Sequence, residues 1–178
     1  MFGCRMNNRM GEMKMAKSPK DLNDLFHETL KDIYYAERQL LKALPKMARS
    51  AQSAELKTAF EKHRDETETH VERLNQVFEL IGKPAKGKTC DAIIGIVDEG
   101  KETMEEFKDT VALDAGLISA AQAAEHYEIS RYGTLVTWAK TLGLNDAATL
   151  LAQTLAEEEN TDKLLTKLAV ASANVKAA

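Results

Sequence analysis

The sequence predicts an all-α four-helix bundle with one long crossover, and three observations carry that reading. Helix-favouring residues (Ala, Leu, Glu, Lys) dominate a 178-residue chain interrupted by only three prolines and nine glycines. Apolar residues recur at helical spacing through four long stretches. The connections between those stretches run short, long, short, and this order sets their relative directions.

Ordered structure is expected from Ser18, with residues 1–17 read as a disordered tail or the product of an upstream start, Met15 being the alternative first residue. Ser18 suits a helix N-cap, Pro19 the first helical position and Asp21 the third, where a carboxylate completes a capping box. The first long helix then runs to about Ser50 on the stripe Leu22, Phe26, Leu30/Ile33, Leu40, Leu44 and Met47. Pro45 lies inside it and is expected to bend it or detach its last turn. Ser53 caps a second helix that stops at Gly82, with Pro84 beyond. A loop over 82–88 leads to a shorter helix near 90–107. The third long helix covers about 109–142 and ends at Gly143. Asn145 caps the fourth, which runs to about Ala171; the bundle closes at 172, and residues 173–178 are expected to fray. The crossover, about 25 residues with its short helix, is long enough to run the length of the bundle. The second and third long helices are therefore parallel, the single-crossover topology of ferritin-like bundles.

Composition excludes several function classes. One domain of this length buries an adequate core without disulfides. A formal net charge of −4, with no basic stripe or aromatic platform, argues against a nucleic-acid partner. No apolar run reaches the roughly 18–20 residues that span a bilayer, and the N-terminus lacks the apolar centre of a secretory signal. Cys4 and Cys90 lie far apart and form no CxxC pair, which fits a reduced, cytoplasmic protein. Gly-x-Gly-x-x-Gly, P-loop and Gly-x-Ser-x-Gly motifs are absent, so nucleotide binding and serine hydrolysis have no support.

The informative residues are polar ones on stripes that should be apolar. The fourth helix reads Leu151, Leu155, Glu158, Asp162, Leu165, Ala169 along one seam. The second reads Phe60, His63, Thr67, His70, Leu74, Val77, with Glu66 beside it. On the third, Asp114, Ile118, Gln122, Glu125, Ile129 and Tyr132 share a face, and the first places Glu37 between Ile33 and Leu40. At about 1.5 Å of rise per residue these acids fall near mid-depth of all four helices. Gathering carboxylates in a dry interior costs several kcal/mol per ion unless protons, arginines or metal ions neutralise them. Arg38, Arg73 and Arg131 flank the stripes. The ligand candidates are Glu37, Glu66, His70, Glu125, Glu128, Glu158 and Asp162. An oxygen-rich set with imidazole suits two iron or manganese ions better than structural zinc.

Each candidate has a plainer role open to it. Asp162 can instead hold a histidine or arginine in place. Glu128 is either a bridging ligand or a solvated rim acid, and His63 reads as a cap on the site or a satisfied core histidine. Within Glu157–Glu159 only Glu158 faces inward. His126 reads as surface, Asp114 and His27 as caps or surface pairs, and Cys90 as a small buried hydrophobe. Tyr34 and Tyr132 pack, within reach of the site as hydrogen-bond donors.

Four segments resemble the YciE/YciF-like family of bacterial ferritin-like proteins. They are Asp32-Ile-Tyr-Tyr-Ala-Glu-Arg-Gln-Leu-Leu-Lys-Ala-Leu-Pro-Lys-Met, His70-Val-Glu-Arg-Leu, Glu125-His-Tyr-Glu-Ile-Ser-Arg-Tyr-Gly-Thr-Leu and Ala156-Glu-Glu-Glu-Asn-Thr-Asp-Lys-Leu-Leu. The likeness covers about Ser18 to Ala171. It implies a ferritin-like bundle, a homodimer, expression linked to stress and a di-iron or related metal site, with the ligand role carried to Glu37, Glu125 and Glu158. Ferritin-like di-iron proteins place Glu-x-x-His on two helices. Here the second helix offers Glu66-x-x-x-His70 or His63-x-x-Glu66, and the fourth offers Glu158-x-x-x-Asp162 with no histidine.

Two functions are compatible with these residues. One is a dinuclear iron or manganese protein that handles metal or a small oxidant, oxygen or peroxide, under stress. The other is a non-catalytic helical stress or interaction dimer whose buried acids form an ion-pair network with Arg38, Arg73 and Arg131. Nothing in the sequence argues for a closed iron-storage shell.

Overall fold

The computed structural model describes residues 19–178, so the expected tail, the Met15 start and the Ser18 cap lie outside the described residues. Four long helices, α1 (Leu22–Ser50), α2 (Ala54–Leu80), α4 (Leu113–Thr141) and α5 (Asn145–Leu168), are joined by a crossover that carries α3 (Asp91–Glu106). No strand occurs among the described residues. The fold is the expected all-α, ferritin-like bundle.

Local chemistry sets the ends. Asp21, rather than Ser18, caps α1: its side chain accepts from the Asp24 backbone while the Asp24 carboxylate takes the Asp21 N–H, a reciprocal box. Pro45 sits within α1, which continues past it to Ser50 without splitting. Ser53 caps α2 as expected, accepting from Leu56 N. Gly82 and Gly143 end α2 and α4 at φ 64° and 73°. Each turn is locked by a six-to-one backbone bond, Lys83 N to Phe78 O and Leu144 N to Ala139 O, both 2.9 Å. The third long helix starts at Leu113 rather than near 109, because Asp109 takes a left-handed φ of 61° and residues 107–112 form turns. Leu144, not Asn145, occupies the cap position of α5, and no side chain closes that end. Beyond Leu168 the chain takes a π-helical turn, Ala169–Ala173, and helical structure continues through α6, Asn174–Ala177.

The long helices form a square in which α1 and α5 each pack on both α2 and α4. Direction is fixed by Asp114 at the start of α4. Its two carboxylate oxygens accept from the Gln52 and Ser53 backbone N–H groups, both at 2.8 Å, so α4 begins at the same end of the bundle as α2. The two are parallel, and the crossover runs the length between them. Expected as a cap or a surface pair, Asp114 is instead buried and ties the start of α4 to the α1–α2 turn. Replacing Asp114 with Ala is expected to lower stability by about 2 kcal/mol, since a carboxylate with two backbone donors is lost from a buried position. Equilibrium denaturation in urea measures this.

Leu30, Phe26 and Phe78 fill one end of the interior, and Leu44, Leu56 and Phe60 fill the other. Between these apolar layers lies a polar one. No described helix is long and apolar enough to cross a membrane.

Candidate metal centre

Six side chains from the four long helices converge at mid-depth, all at most 3% exposed: Glu37 from α1, His63 and His70 from α2, Glu125 and Glu128 from α4, and Glu158 from α5. Their donor atoms fall into two groups. In the first, atoms of His63, Glu125, Glu128 and Glu158 lie within 4.8 Å of one another; in the second, atoms of Glu37, His70 and Glu158 do. Glu158 belongs to both.

The histidines are presented from opposite ring edges. His70 Nε2 lies 2.9 Å from Glu157 Oε2, and Arg73 grips the same carboxylate with both terminal nitrogens, at 2.5 and 2.9 Å. A proton on Nε2 leaves the Nδ1 lone pair facing inward, 3.0 Å from Glu158 Oε1 and 3.5 Å from Glu37 Oε1. His63 turns Nε2 inward instead, 3.1 Å from Glu125 Oε1 and 3.7 Å from Glu158 Oε2. Its Nδ1 faces Thr161 Oγ1 at 3.4 Å and Glu66 Oε2 at 3.7 Å. Both imidazoles therefore have a partner on the outer nitrogen and a free nitrogen toward the acids, the arrangement that orients a metal-binding histidine.

Hydrogen bonding within the protein does not satisfy this layer. Glu125 Oε2 and both oxygens of Glu128 are buried without a hydrogen-bond partner. Glu158 meets only His63 Nε2 at 3.7 Å and His70 Nδ1 at 3.0 Å, the latter a hydrogen bond only when the imidazole carries a proton there. Tyr132 donates its hydroxyl to Glu37. The flanking arginines go elsewhere: Arg73 to Glu157, Arg38 over the Tyr34 ring and Arg131 over the Tyr127 ring. Among the described residues no arginine or lysine forms an ion pair with any of the four buried carboxylates, so the network expected of the second reading is not formed.

The titration behaviour follows. Burial and the neighbouring Glu158, Glu37 and Glu125 carboxylates push Glu128 well above the usual carboxylate range. Burial likewise raises Glu158 to about 7, with His70 opposing and Glu37 reinforcing the shift. Burial disfavours the charged form of His70, but the Glu158 and Glu37 carboxylates outweigh it and lift the imidazole to about 10. His63 is raised well above its ordinary value in the same way, Glu125 prevailing over burial. Without metal, protons must neutralise this cluster. Four carboxylates and two neutral imidazoles match the charge of two divalent cations, and the unpartnered oxygens provide the lone pairs to bind them. The residues fit a dinuclear site.

Of the seven residues expected from sequence, five meet here: Glu37, His70, Glu125, Glu128 and Glu158. Glu128 takes the inward of its two readings. Glu66 and Asp162 fall outside both groups. Glu66 projects toward the flank of α2, where Lys62 Nζ meets it at 2.6 Å, and the His63 contact lowers its pKa to about 2. Asp162 turns toward α4, accepting from Gln122 Nε2 at 2.9 Å with His126 Nε2 at 3.2 Å. The residue that sequence reasoning undervalued is His63. Its seven-residue spacing from His70, on the same stripe as Thr67, was the available signal. Glu157 was also read as solvated, yet it anchors His70. Tyr132 reaches the site as a donor, while Tyr34 packs edge-on against Phe78.

A family model described as a domain of unknown function (DUF892) matches residues 21–178. The chain is 44% identical to protein YciF of Escherichia coli (strain K12) over 159 residues, 89% of this chain and 96% of that one. The crystal structure of the E. coli stress protein YciF superposes with a TM-score of 0.84 at 43% identity, covering 88% of this chain and 99% of that one. YcfI from Rhodopseudomonas palustris gives 0.81 at 42% identity, covering 85% and 96%. A protein from Xanthomonas campestris shares the fold, with a TM-score of 0.66 at 21% identity over 88% of this chain and 97% of that one.

Proposed function

Since the chain belongs to the DUF892 family, we propose that this member is a dinuclear metal protein that handles metal or a small oxidant under stress, as its E. coli relative is a stress protein. One observation carries the reading: Glu125 Oε2 and both oxygens of Glu128 are buried with no hydrogen-bond partner, beside Glu158, whose oxygens meet only the two imidazoles. Leaving them so would cost several kcal/mol, and cations between them offset that cost. One metal position would be held by His63, Glu125, Glu128 and Glu158, the other by Glu37, His70 and Glu158, with Glu158 shared. Iron or manganese suits such donors and would supply a redox couple able to reduce oxygen or peroxide. The protein's own part is to fix the donors. Glu157 orients His70 and is itself fixed by Arg73; Tyr132 orients Glu37 and places a hydroxyl proton beside the site. The setting we propose is a homodimer in the cytoplasm, which sedimentation analysis and fractionation of the native host would check.

The direct test is elemental analysis after loading the purified chain with iron or manganese. Two ions per chain are expected; a folded chain that retains none removes the proposal and leaves the non-catalytic stress or interaction dimer. A related outcome concerns the anchor of His70. Glu157→Gln removes the charge between Arg73 and His70, and metal affinity is expected to fall about 10- to 100-fold, read by competition with a chelator.

A further inference from the structure

Between α1, α3 and α4 lies a cavity of about 130 Å³ whose lining includes His63 and Glu125 of the metal centre. Leu44, Met47, Ile96, Val97, Met104 and Ala121 form its apolar walls. The second half of α3 is held close on α4 beside this space. A methyl group added at Gly100 would touch Ala120 Cβ at 3.5 Å, and one at Gly116 would collide with Thr103 Cγ2 at 2.6 Å. Ile96, Val97 and Met104 pack against the core from α3 and stay partly exposed, forming the outer wall of the cavity. Glu125, one of whose oxygens is buried without a partner, and His63 are the polar residues of the metal centre that the lining includes. The lining also includes three lysines, Lys42 and Lys46 from α1 and Lys101 from α3, all exposed. Lys101 pairs with Asp98 at 2.6 Å. Among the described residues, Lys42 and Lys46 form no ion pair.

We infer that this cavity binds a small organic anion, a carboxylate with an unbranched apolar chain, headgroup at Lys42 and Lys46 and tail along the apolar wall of Leu44, Ile96, Val97 and Met104. Four features select that chemistry. The walls exclude a polar body, because its groups would be desolvated without partners. The volume is close to the roughly 150 Å³ of an apolar cavity that accommodates benzene, so the tail has about six to eight carbons. The lined stretch of α1, Gln39 to Met47, spans roughly 12 Å at 1.5 Å per residue, which matches an extended chain of that length. Unpaired lysines at the surface supply the counter-charge. The cavity adjoins the proposed metal centre, but binding itself needs no metal.

Calorimetric titration of the full chain, metal-free and metal-loaded, with octanoate, octylammonium and octanol tests it. Octanoate is expected to bind once per chain, at least tenfold tighter than either analogue. Lys42→Glu combined with Lys46→Glu should remove that preference. Ala121→Phe, which fills the cavity, should abolish binding while leaving metal content unchanged; Val97→Trp, on the half-buried roof, serves the same purpose if the α4 variant does not fold. Equal binding of octylammonium or octanol, unchanged binding in the filled variants, or no saturable binding of octanoate overturns the inference. A chain that takes octanoate but no metal retains the pocket and loses the dinuclear reading, so the two failures are distinguishable.

Discussion

Glu158→Gln is expected to empty both metal positions at once, whereas Glu37→Gln should empty one. Glu158 is the only residue common to the two donor groups, so converting one of its oxygens to an amide nitrogen removes a donor and a negative charge from both. Affinity should fall by more than about 100-fold, beyond the effect of changing a residue that merely orients a ligand. The same substitution should act with opposite sign on the metal-free protein. With the Glu158 carboxyl raised to about 7 by burial, its ionised form at pH 9 is disfavoured in the folded state by about 3 kcal/mol. A neutral amide lacks that penalty. Metal-free Glu158→Gln should therefore melt higher than metal-free wild type at pH 9, and lower than wild type when both are offered metal. Differential scanning calorimetry with and without metal reads both signs. A variant that binds two ions normally would show that Glu158 does not bridge them.

Metal-free wild type should lose stability as pH rises. Glu158 and His70 both have folded values above their ordinary ones, about 7 against 4.5 and about 10 against 6.5. Between about pH 4.5 and 7 the folded state retains a proton on Glu158 that the unfolded chain releases, and between about pH 6.5 and 10 the same holds for His70. The unfolded state binds fewer protons throughout, so stability falls across that range. The expected loss from about pH 5 to 9 is on the order of 6 kcal/mol, or roughly 12–24 °C in Tm. Metal should reverse the trend. It displaces the protons, so its affinity rises with pH and the loaded protein is protected most where the empty one is weakest. Thermal melts at several pH values, with chelator and with metal, check this. A metal-free Tm that rises from pH 5 to 9 would mean that the buried cluster is not proton-loaded.

The architecture was legible because its punctuation is local. Gly82 and Gly143 stop two helices with backbone geometry that favours glycine, Ser53 starts another, and the length of the crossover decides which helices are parallel. The start of α1 was misplaced because Ser18-Pro19 carries a strong start signal, while the operative box is formed by two aspartates three residues apart. Glu37, His70, Glu125 and Glu158 were legible because each interrupts an apolar stripe at the same depth. Glu66 and Asp162 lie off the buried layer for a shared reason, helix rotation. On α5 the residues Leu151, Glu158 and Leu165 fit either of two seams; the structure completes the buried face with Thr154 and Thr161, not Leu155 and Asp162. On α2 the buried face runs His63, Thr67, His70, Leu74, which leaves Glu66 about 100° away from Thr67 on the flank.

The departure from Glu-x-x-His spacing noted in the sequence has a counterpart in space. Ferritin-like di-iron sites draw four glutamates and two histidines from that template, and this chain gathers the same six groups differently. Threonines stand where the template has its other members, in Thr67-x-x-His70 and Glu158-x-x-Thr161. The missing histidine arrives as His63, one turn earlier on α2, with its outer nitrogen facing Thr161. The missing glutamate arrives as Glu128, one turn along α4 from Glu125. A linear motif cannot report such an exchange between helices, since the donors are equivalent only in space.

Crystals of the metal-loaded protein, with anomalous diffraction collected at the iron or manganese edge, test the centre most directly. Two peaks per chain are expected on either side of the Glu158 carboxylate, one among His63, Glu125 and Glu128 and the other between Glu37 and His70. An interior with no anomalous peak, its carboxylates facing only protons or water, would contradict the account, as would a peak ligated by Glu66 or Asp162 in place of these residues.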